Sequence, residues 1–143
     1  MNPQKPTDHH TPNPGSPFML FFRGHDWDEG LSREETQRVL DRLTAWIEGL
    51  QQAGVMRGGS PLARAGSVVS EHQVRAVADG PFVEAKEIIG GYLAVEVADL
   101  AAAVAIARKC PTLGHGITIE VRPVLAECPI VQRLREQPTL AAA

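Results

Sequence analysis

The chain has 143 residues, which fits one domain, and its 43% hydrophobic and 22% charged residues are ordinary for a globular protein. With 14 Lys+Arg against 17 Asp+Glu the net charge is −3, which leaves no basic face for nucleic-acid phosphates or an anionic membrane surface. No stretch reaches the roughly 18–20 apolar residues of a membrane span and no signal-peptide pattern opens the sequence, so a cytoplasmic protein is expected.

Residues 1–17 read as a disordered tail, because Pro3, Pro6, Pro12 and Pro14 fall among polar residues with almost nothing apolar to bury. The first ordered element is Phe18–Phe22, apolar on both faces and suited to a strand covered on both sides. A polar loop follows from His25 to Gly30. Ser32 with Glu35 three residues on is a capping box that opens a long helix over 32–53. Val39, Leu43, Trp46, Ile47 and Leu50 recur at helical spacing, and Gly54 stops the helix.

Val55 to Leu62 is predicted as a second strand. Gly66–Ser70 and Val74–Ala78 are predicted as a hairpin, and Asp79-Gly80-Pro81 as a turn. Ile88–Val97 is the clearest strand. Asp99 caps a short helix, Leu100–Lys109, with Leu100, Ala103, Val104 and Ala107 as its buried stripe. Pro111 ends it, and Thr112–Gly116 is predicted as a loop. Ile117–Val121 alternates as a last strand, and residues 125–143 are predicted as a tail.

The order is β-α-β, hairpin insert, β-α-β: an α+β, ferredoxin-like arrangement within residues 18–124. Leu93, Val95, Val97, Ile117, Ile119 and Val121 fit the face under the helices. Tyr92, Glu96, Thr118, Glu120 and Arg122 fall on the opposite face. Two such sheets packed face to face would bury the apolar part and leave a polar-lined cleft, which points to a homodimer; a solvated sheet face is the alternative.

The run Asp79-Gly80-Pro81-Phe82-Val83-Glu84-Ala85-Lys86-Glu87 with Gly90-Gly91-Tyr92 resembles the DGPF signature of the YCII-related family. Ala107-Arg108-Lys109-Cys110-Pro111 and Gly116–Pro123 resemble the second half of that family. The resemblance implies a dimeric α/β barrel. Some members of the wider group are linked to dehalogenation of chlorinated hydroquinone-type compounds, and the group often pairs a His on the first helix with an Asp near the end of the second. Here the first helix has no His and Cys110 stands before Pro111, so that dyad is missing. DGPF relatives are also often encoded near alternative sigma factors, which implies a regulatory setting.

The candidate proton-transfer residues are His115, Glu120 and Asp79, and the candidate ligand-binding residues are Arg122, Tyr92, Lys86 and His25. Arg122 offers a planar fork for an anion, and Glu120 becomes a proton acceptor if a cleft raises its pKa. His115 is a natural proton carrier near neutral pH. Each also has a structural reading: an Asx turn at Asp79, an ion pair at Glu120 and Arg122, a solvated charge at Lys86, a surface loop at His25 and His115. No metal-ligand spacing and no dinucleotide or Walker glycine pattern is present, so no metal and no cofactor is expected. Cys110 and Cys128 lack a CxxC spacing and are expected as free thiols. Cys110 is discounted as a nucleophile because a helix C-terminus disfavours a thiolate.

Two functions follow. One is a cofactor-free lyase, isomerase or dehalogenase-like enzyme acting on a small anionic or aromatic compound. The other is a non-catalytic module that senses a ligand or docks on a protein such as a sigma factor.

Overall fold

The computed structural model describes residues 15–77 and 88–137. Strand β1 (Ser16–Arg23) leads into helix α1 (Arg33–Gln52) and strand β2 (Met56–Pro61). The hairpin β3 (Ser67–Ser70) and β4 (Gln73–Ala76) follows, then β5 (Ile89–Val97) and helix α2 (Leu100–Arg108). A 3-10 helix (Pro111–His115), β6 (Thr118–Pro123) and helix α3 (Pro129–Glu136) complete the order. The four long strands form one sheet in the order β2-β5-β1-β6, every pair antiparallel. This is the ferredoxin-like order expected from the β-α-β, β-α-β pattern.

The alternation in β1 decides which face is buried. Phe18 pairs with Val95, and Leu20 pairs with Leu93 on one side and Val121 on the other. Leu20 and Val95 are fully buried, and Leu50 of α1 with Ala103 and Ala107 of α2 closes over them. Met19, Phe21 and Arg23 point the other way, beside Tyr92, Ala94, Glu120 and Arg122. The apolar character of β1 on both faces therefore has a use on each side of the sheet.

Local chemistry sets the helix ends. Ser32 Oγ accepts from the Glu35 N–H at 3.0 Å, and the Ser32 N–H donates to Glu35 Oε1 at 2.9 Å, so the capping box is formed. Gly54, at φ +75°, takes the left-handed turn that ends α1. Asp99 Oδ1 accepts from the Ala102 N–H at 2.9 Å and starts α2.

Several expectations are corrected. α2 buries Ala103, Ala107 and, in part, Ile106, while Leu100 and Val104 face outward. The short residues let α2 sit close to the sheet, and this turns the larger ones away. Thr112–Gly116 is not a plain loop: Pro111 sits in the first turn of a 3-10 helix, where its missing N–H costs nothing. The segment read as a C-terminal tail contains α3, also with a proline in its first turn and with Ile130, Val131 and Leu134 exposed. β1 begins at Ser16, ahead of the expected Phe18, and Pro17 accepts from the Val124 N–H at 2.9 Å. The hairpin is present, with Gln73 inside β4, and it forms a separate two-stranded sheet with every residue exposed. The expected Asp79-Gly80-Pro81 turn lies outside the described residues.

Candidate functional site

A cavity of about 370 Å³ lies between α1 and the helix-covered face of the sheet. α1 supplies Leu43, Trp46 and Ile47 as one wall. Phe22 and Leu93 face them from β1 and β5. Trp27, from the loop before α1, and Thr112, from the 3-10 helix, also line it. This space lies on the other side of the sheet from the open face on which the sequence led us to expect a polar cleft.

Gly59, Gly90 and Gly91 border the cavity and present backbone in place of side chains. A Cβ on Gly59 would stand 2.7 Å from the Tyr92 carbonyl oxygen, and one on Gly90 would collide with the Gly24 carbonyl oxygen. Opposite them Trp46 is fixed in place: its indole N–H donates to the Ile106 carbonyl at 3.2 Å, and its ring meets Phe22 edge-to-face at 6.3 Å and 87°. Ties to both α2 and β1 hold the Trp46 ring as a rigid wall.

The predicted residues fall into separate places. Glu120 and Arg122 share the open face, where Arg23 donates to Glu120 Oε1 through Nε at 3.0 Å and Nη2 at 2.6 Å, and Arg122 Nη1 donates to Oε2 at 3.2 Å. The Arg23 hydrogen bonds, then those of Arg122, hold the Glu120 carboxyl below the usual carboxylate range. This is the reverse of the upward shift a proton acceptor would need. Tyr92 lies on the open face by its register with Phe21 and also borders the cavity.

His115 is elsewhere, with its ring 6.3 Å from that of Trp27 and tilted by 52°. The Glu35 carboxyl at the start of α1 is held below the usual carboxylate range by the Ser32 hydrogen bonds. His25 Nε2 is buried with no hydrogen-bond partner among the described residues, 3.5 Å from where a Gly90 Cβ would stand. His25 is not part of the cavity wall. Asp79 and Lys86 lie outside the described residues.

Cys110 and Cys128 are free thiols. Cys110 is buried, and its Sγ lies 3.2 Å from Thr112 Oγ1. Cys128 is exposed at the start of α3, where the backbone N–H groups of Val131 and Ile130 lower its thiol pKa. No group of His, Cys, Asp and Glu side chains suited to a metal ion occurs among the described residues, and no helix among them is long and apolar enough to cross a membrane.

Sequence reasoning passed over Trp27, Trp46 and Thr112 as site residues. The signal that could have found them is the pair of glycine dipeptides, Gly58-Gly59 and Gly90-Gly91, on strands that sit under the large residues of the α1 stripe.

Comparison with known proteins adds the following. No curated protein matches the chain. Among solved structures it is similar to the 5-chloro-2-hydroxyhydroquinone dehydrochlorinase of Burkholderia phenoliruptrix AC1100 in complex with 2,5-dihydroxybenzoquinone. That similarity has 13% identity and a TM-score of 0.45, and covers 78% of this chain and 95% of that one. The model of the YCII-related domain matches residues 18–127 of 143, from β1 past the end of β6. The chain belongs to the YCII-related domain family.

Proposed function

We propose that this protein binds a small, uncharged, largely apolar molecule, best matched by an aromatic ring, in the cavity between α1 and the sheet. One observation carries the reading. The wall brings Phe22, Trp27 and Trp46 around about 370 Å³ and, among the described residues, contains no charged side chain. Cavities of a few hundred Å³ lined by aromatic and aliphatic groups suit small organic ligands. A charged group placed there would lose its hydration with no ion partner in the described wall. The anion-binding role expected for Arg122 is therefore not part of this site.

Calorimetric titration with phenol, indole and benzoate tests the reading, on the wild type and on Ile47→Phe, which fills the cavity from α1. Binding of the two neutral rings, weakened in Ile47→Phe, supports it. Binding of benzoate alone, or equal binding by both proteins, would refute it.

The same reading includes a homodimer with the open sheet faces packed together. Met19, Phe21 and Ala94 give that face an apolar centre, and the Arg23–Glu120–Arg122 cluster and the Arg57–Glu96 pair at 3.0 Å border it. Sedimentation of wild type and Phe21→Glu tests this: a dimer that Phe21→Glu splits is the expected result, and a wild-type monomer at all concentrations would rule it out.

A second reading, cofactor-free catalysis, is favoured by the contact between His115 and Trp27, which sets an imidazole behind the cavity wall. His115 then carries the proton of a lyase, isomerase or dehalogenase-like step. Its test is turnover of a bound ligand by wild type and by His115→Gln, and unchanged turnover in the variant would end it.

A further inference from the structure

The cavity wall is largely apolar but includes one buried polar side chain. Thr112 is the sole buried polar or charged residue among the described residues, at 4% exposure, and it borders the cavity. The other polar side chains of the wall differ from it. Trp46 has given its only N–H to the Ile106 carbonyl. Ser60 is exposed and donates to the Pro61 carbonyl at 3.2 Å. Trp27 and Tyr92 are only half-buried.

Thr112 is also under-used. Its hydroxyl has one donor hydrogen and two acceptor lone pairs, and its partner is the Cys110 thiol at 3.2 Å, a weak donor and a weak acceptor. One contact with sulfur leaves hydrogen-bonding capacity unspent at the cavity wall. Cys110 is itself buried at 3% exposure, so the pair is fixed in position. Pro111 stands between the two residues and sets the backbone of the 3-10 helix that holds Thr112.

Resting on the cavity reading above, we infer that Thr112 determines specificity: its hydroxyl meets an oxygen of the occupant. The ligand class is then a small apolar ring bearing a hydroxyl or carbonyl group. A plain hydrocarbon fits the walls but leaves the hydroxyl unanswered, whereas a ligand oxygen completes it. A site built to hydrogen-bond an oxygen discriminates against the analogue that lacks it, because the buried polar group is left without its partner.

Phenol and toluene are the probes, being nearly equal in size and differing in a hydroxyl against a methyl. Both are titrated into the full-length wild type, Thr112→Val and Thr112→Ser, followed by tryptophan fluorescence. The expected result is that Thr112→Val weakens phenol about fivefold, leaves toluene unchanged, and that Thr112→Ser restores the phenol affinity. An unchanged ratio of phenol to toluene affinity in Thr112→Val would overturn the role of Thr112 while the cavity reading stands. A Thr112→Ser protein as impaired for phenol as Thr112→Val also overturns it, since the hydroxyl is then irrelevant. Failure of both probes to bind the wild type would overturn the cavity reading itself, and this inference with it.

Discussion

Arg23 and Glu120 meet twice across the β1–β6 ladder, through Nε at 3.0 Å and Nη2 at 2.6 Å onto one carboxylate oxygen. The register pairs Phe21 with Glu120 and Arg23 with Thr118, so the two charges are diagonal neighbours on the open face. Their union favours the ionised form of the Glu120 carboxyl.

A pH dependence follows from that pairing. The folded chain holds the Glu120 carboxyl below its ordinary value, so the unfolded chain takes up the proton first. The stabilisation is present in full above the ordinary glutamate range, about pH 4.3, and is lost as the pH falls through the lowered folded-state value. Urea unfolding of wild type and Glu120→Gln should show the wild type more stable at pH 7 and the difference closing on acidification. A difference that grows as the pH falls would contradict the sign.

The capping box offers a clean measure of helix α1. Ser32→Ala removes the acceptor for the Glu35 N–H and should cost about 1 kcal/mol, lowering Tm by about 3 °C. Thermal unfolding by circular dichroism is the check, with an unchanged Tm as the contrary outcome.

Two glycines should respond to alanine with opposite signs. Gly90→Ala drives a Cβ into the Gly24 carbonyl and should cost about 1–3 kcal/mol. Gly49 lies within α1 with nothing within 4 Å of an added Cβ, so Gly49→Ala should stabilise by about 0.5–1 kcal/mol. Denaturant midpoints of the two variants test both claims together.

The two thiols should react in sequence. Cys128 is exposed and shifted toward the thiolate by the Val131 and Ile130 N–H groups, whereas Cys110 is buried. A thiol-specific aromatic disulfide reagent should label one thiol per chain quickly in native buffer and the second only in denaturant. Peptide mapping should place the fast label on Cys128.

The sequence carried the sheet further than it carried the site. Period-two alternation was enough to put Leu93 and Val95 under the helices and Tyr92, Glu120 and Arg122 on the open face, because a strand has only two sides. Helical spacing likewise gave the stripe from Val39 to Leu50. What alternation does not encode is the gap between layers. The cavity is lined by Trp46 of α1 together with Gly59, Gly90 and Gly91 of the sheet, a tertiary fact set by how α1 lies across the sheet. The pairing of Glu120 with Arg23 was hidden for the same reason, since the two are 97 residues apart in the chain. α3 was missed although Ile130, Val131 and Leu134 have helical spacing behind Pro129. That short apolar set finds no core to pack on among the described residues, so its burial gave nothing to predict from.

The most direct test of the account lies in the tryptophans. The chain has two, Trp27 and Trp46, and both border the cavity. In a nitrogen–proton correlation spectrum their indole N–H signals report on the site with no other indole to confuse them. Titration with phenol should move both signals together along one saturation curve, with the Arg122 and Glu120 amides of the open face unmoved. Shifts confined to the Arg122 and Glu120 amides, with both indole signals still, would contradict the cavity as the binding site.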